Sequence, residues 1–392
     1  MGNLHFVLIP WLGQGHMIPM VDIARLLAEH GVTVSIITTP VNAARIQSTI
    51  DRISASGLPL HFLTLRFPAA EFGLPEGCEN LDSLPSRDLV PNFFQATKHL
   101  RGPLLQHVRS GSSLPPSCMI IGIGHPWAHE VARELGVPRV AFHGYSCLSL
   151  LTIHYLHHYN THETMPSMSD SFILPGLPHR IEMTRWKLPR QFHVHVPYPE
   201  IYKEARDADA TADAVIVNSF DELEPGYTEC VEKATGKKAW TIGPVCLQNK
   251  ERSDMAERGN KSSVDKEQCL NWLDSQKPKS VVYVSFGSMG KFPSLQLREI
   301  GAGLLASNRP FIWVIKGGGE AIGGGGEMVG GKDRREGGFE VSFDQGVGAA
   351  GDDPVAPGGG RVCDSLWVEL DAGGSVRRCA DGNLAALRRA VP

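Results

Sequence analysis

LHFVLIPWLGQGHMIPMVDIARLLAEHGVTVSIITT, residues 4–39, carries three patterns in succession. Its first six residues, LHFVLI, are a short apolar run of the kind expected for a parallel strand buried on both faces. A turn holding Gly13 and Gly15 follows, from Trp11 to His16. Met20, Ile23, Ala24 and Leu27 then recur at i, i+3, i+4 and i+7, which places them on one face of a helix, and Gly31 supplies its stop. VTVSIITT, residues 32–39, is a second strand. Strand, helix and strand in this order make a βαβ unit with a right-handed crossover. The stretch predicts an α/β fold.

The alternation continues outward. Residues 118–123 (CMIIGI) read as a strand, 129–136 as a helix, 138–143 (PRVAFH) as a strand, and 212–219 (ADAVIVNS) as another, ending in the acidic turn FDELEP. The polar stretch 248–266 looks like an exposed linker. Beyond it, CLNWLDSQ reads as a short helix, SVVYVSFGSMG as a strand with its turn, SLQLREIGAGLLAS as a helix and FIWVIK as a strand. Two successive α/β units are expected, the second stopping after about three elements.

Composition bounds the function. A chain of 392 residues, 42% hydrophobic and 20% charged, has room for two domains. A formal charge of -4 argues against a nucleic-acid partner. No run approaches the length of a membrane span. The start MGNLHFVLIP lacks a basic region and a cleavage site, and Phe6 stands where myristoylation wants Ser or Thr. Eight cysteines without a CxxC imply neither a disulfide framework nor a zinc knuckle. A cytoplasmic protein with buried thiols is expected.

The first loop invites a dinucleotide fingerprint, but Ile18 holds the third glycine's place and Thr38, Thr39 and Pro40 supply no acid for a ribose. His16 carries more. It lies at the mouth of the sheet and at a helix N-terminus, whose positive dipole end keeps an imidazole neutral and able to take a proton from a hydroxyl. The bland alternative is a capping or solvent-exposed histidine. The pairs His193/His195 and His157/His158 lack a third ligand at metal spacing, so no metal is expected. Asp207 and Asp209 mimic a metal-chelating DxD, but their segment, EIYKEARDADATADA, is helical in pattern and reads as a solvated face. After the second unit's first strand, Ser285, Gly287 and Ser288 form a turn that could receive a diphosphate.

Taken together, GQGHMIPMVDIARLLAEHGV, PGLP at 175–178, VIVNSFDELEPGY, WTIGPV, CLNWLDSQKPKSVVYVSFGS and RPFIWVIK resemble the plant UDP-glycosyltransferases that act on small secondary metabolites. The resemblance runs from about residue 4 to Lys316. It implies a GT-B-like fold of two Rossmann-like domains, the second truncated: residues 1–247 binding acceptor, 248–266 linking, and 267–316 a partial nucleotide-sugar domain. It implies inverting transfer of a hexose from a UDP-sugar to a hydroxyl of a small lipophilic acceptor, with no cofactor or metal. His16 would be the base, Gly15 and His143 acceptor-side residues, and Ser285, Gly287 and Ser288 donor-side ones. The family's aspartate partner to the base falls on Gly122, which has no carboxylate.

The tail departs from the family. Nearly half of the 42 glycines lie after Lys316, and the stretch 317–392 holds one lysine, one isoleucine and no tyrosine. A disordered, glycine-rich tail is expected there. The family's donor signature, WAPQ through HCGWNS, is missing from the residues as translated. A suitable choice of codons lets a single-base offset return it. SLWVELDA at 365–372, written TCA CTG TGG GTG GAA CTC GAC GCT, reads CAC TGT GGG TGG AAC TCG ACG, or HCGWNST, from the second base. A frame change between Lys316 and about Glu327 is the expectation. A catalytically inactive acceptor-binding protein, or a disrupted-gene product, is the alternative to an active transferase.

Overall fold

The computed structural model describes residues 4–111, 114–193, 198–248, 266–286, 292–316 and 339–343. The chain divides into two compact units near residue 251.

In the first unit the apolar runs become a seven-stranded parallel sheet. Its strands are β1 (His5–Ile9), β2 (Thr33–Thr38), β3 (Leu60–Thr64), β4 (Cys118–Gly122), β5 (Arg139–His143), β8 (Ala214–Val217) and β9 (Lys238–Thr241), in the order β3-β2-β1-β4-β5-β8-β9. A small antiparallel pair, β6 (Ser171–Ile173) and β7 (Glu182–Thr184), stands apart from it. Every residue of β1, β4 and β8 is buried, as parallel strands covered on both faces require.

Alternation along the strands sends side chains into two separate cores. Phe6, Leu8, Val34 and Ile36 pack against Met20, Ile23, Ala24 and Leu27 of α1 (Gln14–Glu29), the four residues of the helical stripe. Val7, Ile9, Met119 and Ile121 face the other way, onto α4 (Val90–Lys98), α5 (Arg101–Arg109) and α6 (Pro126–Leu135). Each fully buried large side chain contributes roughly 1.5–3 kcal/mol. The result is a three-layer sandwich, helix on sheet on helix.

Remaining helices extend those layers: α2 (Pro40–Arg45) and α3 (Gln47–Ser56) follow β2, and α7 (Cys147–Tyr159), α8 (Pro199–Ala210) and α9 (Tyr227–Thr235) flank β5, β8 and β9. The acidic turn after β8 has a structural task. The Glu224 carboxylate accepts from the Cys147 and Leu148 amides at 3.0 and 2.8 Å and from the Ser219 hydroxyl, closing the N-terminus of α7.

The second unit is described by itself. It holds α10 (Lys266–Asp274), β10 (Val282–Ser285), α11 (Ser294–Ala306) and β11 (Phe311–Lys316), with β10 and β11 parallel. Phe311, Trp313 and Ile315 pack under Leu297, Ile300 and Leu304 of α11. A Cβ on Gly301 would stand 3.1 Å from the Trp313 ring, so α11 lies close on that strand. β12 (Phe339–Phe343) pairs antiparallel with β11. That strand lies within the expected tail 317–392, whose other residues fall outside the described ones.

Candidate active site

Strand order reverses between β1 and β4: from β1 the chain moves to β2 and β3, and then returns to β4. In open parallel sheets, a crevice for ligands forms beyond the carboxyl ends of the strands at such a switch point. Two loops frame it here. Pro10 to Gly13 joins β1 to α1, and Ile123 to His125 joins β4 to α6.

His16 is the third residue of α1, in a first turn with neither an acidic residue nor a side-chain cap. Burial pushes its imidazole down to about 4, and the nearby His143 ring adds to the effect. The ring is neutral at pH 7 and free to accept a proton. Gly15 beside it is exposed, and a Cβ there would meet nothing within 4 Å, so packing does not require glycine.

Trp11 explains the glycines of the opposite loop. A Cβ on Gly122 would lie 2.8 Å from the Trp11 backbone nitrogen and 3.3 Å from the Ile9 carbonyl oxygen. At Gly124, with φ +88°, it would strike the Trp11 ring at 2.8 Å. The place expected for an aspartate is therefore closed by main chain. His125 completes the loop, its Nε2 2.9 Å from the Pro10 carbonyl oxygen and its ring 5.0 Å from that of Trp11. Burial lowers its pKa to about 4, opposed by that hydrogen bond and reinforced by His129 and His16.

An aromatic cluster packs in the core around Trp11, whose ring centroid lies 5.9 Å from that of Phe93 and 5.1 Å from that of Phe94 on α4. Phe67 continues it, 5.6 Å from Phe93. The segment before α4 is tied down by polar contacts. The Leu81 amide donates to the Leu12 carbonyl at 3.1 Å, the Val41 amide to Glu79 at 2.8 Å, and Asn42 Nδ2 to Thr39 Oγ1 at 2.7 Å.

The structure treats the remaining expected residues differently. His143, at the end of β5, is only 2% exposed, and its Nε2 stands 3.4 Å from Asp209 Oδ2. Neither ring nitrogen makes a hydrogen bond, and Nε2 is the one that lies nearer the carboxylate, a placement the acceptor-side expectation did not include. Asp209 qualifies the reading of its segment as a solvated face: Asp207 is exposed and receives Lys203 Nζ at 2.6 Å, whereas Asp209 is half-buried, its side chain 30% exposed and its Oδ1 covered. The signal was there, since Ile201, Ala205 and Asp209 are spaced by four along α8. Ser285 is exposed at the end of β10, while Gly287 and Ser288 lie outside the described residues, as does His195. Among the described residues no three His, Cys, Asp or Glu side chains converge as a metal site. No described helix is long and apolar enough to cross a membrane.

Comparison with known proteins shows the family and the fold. The family profile described as "Glycosyltransferase, N-terminal domain" matches residues 3–247. UDP-glycosyltransferase 73C6 of Arabidopsis thaliana is 46% identical over 315 residues, covering 80% of this chain and 63% of that protein. UDP-glycosyltransferase 73C11 of Barbarea vulgaris is 45% identical, with the same shares covered. Among solved structures, Glycyrrhiza uralensis UGT73P12, complexed with glycyrrhetinic acid 3-O-monoglucuronide, superposes with a TM-score of 0.74 at 38% identity, over 82% of this chain and 64% of that one. Arabidopsis thaliana UGT89C1 complexed with UDP shares the fold, with a TM-score of 0.59 at 23% identity, over 79% of this chain and 65% of that one. The chain thus spans a little under two thirds of the length of these relatives. With its fold of the GT-B type, it belongs to the plant UDP-glycosyltransferase family.

Proposed function

We propose that residues 1–247 bind a small lipophilic molecule through its hydroxyl at the switch-point crevice, and that His16 is the base that deprotonates it. The hydroxyl oxygen would then attack the anomeric carbon of a hexose carried by a UDP-sugar co-substrate, with inversion and without a cofactor or metal. Residues 267–316 are read as the start of the nucleotide-sugar domain, with Ser285, Gly287 and Ser288 toward the diphosphate. Gly15, open and exposed, lets an acceptor approach the helix end. The reading carries a cytoplasmic location with it.

The observation that supports this best is the neutral, part-exposed imidazole of His16 in the first turn of α1, beyond the carboxyl end of β1. One observation favours a second reading, acceptor binding without transfer: the donor signature is absent from residues 317–392 as they stand. Both are tested with His16→Ala, made in the present chain and in a version with the offset frame restored. In the restored version the substitution should lower transfer to a phenol by about a hundredfold or more while leaving phenol affinity within a few-fold. Equal turnover with and without His16 would remove it from the role of base.

A further inference from the structure

Helix α8 is held in place differently from its neighbours. It packs on α6, yet none of its twelve residues is fully buried. A helix of that length draws its stability mainly from a buried face, so α8 belongs to the low-stability end of the fold. Polar side-chain contacts tie it down instead. At its start, the Tyr198 hydroxyl donates to the Arg87 carbonyl oxygen at 3.1 Å. In its middle, Glu204 meets Lys98 of α4 at 2.8 Å, and Arg206 Nη1 stands 3.3 Å from both ring nitrogens of His157 on α7. At its end, Lys237 donates Nζ to the Asp209 carbonyl oxygen at 2.6 Å.

The contact between Arg206 and His157 survives in only one charge state. A neutral imidazole carries one N–H and one lone pair. With Nη1 equidistant from the two nitrogens, either tautomer offers the guanidinium an acceptor. Imidazolium offers none, and it sets a second positive charge beside the first. His157 stands on a firm platform, its ring 4.7 Å from that of Phe192, which is buried among Leu156, Phe172, Leu174 and Leu188. The surrounding charged and titratable groups come from three elements. On α8, Arg206 has Asp207 Oδ1 3.8 Å from its Nε; on α7 itself stand His154 and His158. His162, in the 3-10 turn Thr161–Thr164, meets Phe192 edge-on at 5.1 Å and is flanked electrostatically by Glu163 and Arg185. Burial lowers the pKa of His157, and Arg206, His162 and His154 lower it further. The contact is therefore intact above pH 6.5 and is lost as pH falls through the lowered value.

We propose that α8 is an acid-released strap: a proton on His157 breaks its contact with Arg206, and the helix loosens from α7 while the sheet and its two cores stay closed. The device stands whether or not His16 is a base. Its reach extends to α4, because Glu204 grips that helix and Tyr198 grips Arg87 just before it. The His143–Asp209 contact at 3.4 Å works in the opposite direction, since an imidazolium draws a carboxylate closer.

Hydrogen exchange of the full 392-residue chain at pH 7 and pH 5, corrected for intrinsic rates, reads the release directly. A suitable reference is α3, a surface helix without histidine. On going to pH 5, protection of residues 199–207 should fall about two- to fivefold more than that of α3, the range an exposed charged contact supplies. His157→Phe keeps a ring against Phe192 and a face for the guanidinium, but it cannot titrate. Arg206→Met keeps the side chain's length without its charge. Each should abolish the excess response to acid, and His143 is unchanged in both, so its effect cancels from the comparison. The same excess in a folded His157→Phe variant would overturn the proposal, as would an unaltered chain whose α8 responds to acid no more than α3. Imidazole NMR of the unaltered chain gives a check that no variant's folding can obscure: His157 should titrate below 6.5, and titration at or above that value sinks the idea.

Discussion

At the scale of single residues, Trp11 organises the site more than any titratable group does. Its backbone fills the space beside Gly122, and its ring lies where a side chain on Gly124 would go. Gly122→Ala should therefore cost about 1–3 kcal/mol, because the new Cβ would meet main-chain atoms of Ile9, Pro10 and Trp11, which cannot rotate away. Gly122→Asp should cost at least as much and bring no gain in turnover to a frame-restored chain. Thermal unfolding of both variants checks this; an aspartate variant as stable as the parent, and faster, would mean that the Trp11 loop yields readily. His125 allows a second prediction. Its folded pKa is about 4 against an ordinary 6.5, so between those values the unfolded chain binds the extra proton. Its contribution to stability is complete above pH 6.5 and is lost as pH falls toward 4, up to about 3 kcal/mol in all. Unfolding at pH 5 and pH 7 should show that acid limb, and His125→Gln should flatten it. The candidate base was legible because His16 follows a strand and opens a helix; the partial burial of Asp209 was signalled only by its spacing of four from Ile201 and Ala205, which the DxD pattern masks.

At the scale of elements, the strands hidden on both faces were the readable ones. LHFVLI, CMIIGI and AVIV have almost no polar residue, because each is covered by helices above and below. β3 (LHFLT) and β9 (KAWT), at the edges of the sheet, mix exposed and buried positions and give a weaker pattern. The 3-10 turns between β3 and α4 have no periodicity at all; tertiary contacts such as Leu81 to Leu12 fix them. The turn FDELEP was legible as acidic, but its purpose was not, because Glu224 caps a helix 77 residues earlier in the chain. The same distance makes it testable. Glu224→Ala strands the Cys147 and Leu148 amides in a buried place, at a cost of about 2 kcal/mol. Glu224→Gln, which keeps one acceptor oxygen, should recover part of that loss. Urea unfolding measures both, and an alanine variant within a few tenths of a kcal/mol of the parent would show that water satisfies the amides.

At the scale of the whole molecule, the break in character at Lys316 governs what the chain can do. Up to that residue, local pattern and packing agree: β10, α11 and β11 form the strand, helix and parallel strand of a doubly wound unit. Such a unit continues by another right-handed crossover to another parallel strand. Here the free edge of β11 is met instead by β12, running antiparallel. The amino acids of the tail give no pattern from which that pairing could be read, and the family's donor signature is compatible with them only on an offset frame. This sets the two units different tests. On the proposed reading acceptor binding belongs to the first unit, and should be the same whichever frame follows Lys316. On the same reading UDP-glucose binding depends on residues beyond Lys316, and should be undetectable by calorimetry in the present chain. Restoring the frame should bring it back at micromolar to millimolar strength, because WAPQ and HCGWNS return to the second unit together with the crossovers that shape it. Binding of equal strength before and after restoration would mean that β10 and its turn hold the nucleotide unaided. The frame would then affect only what happens after the sugar is bound.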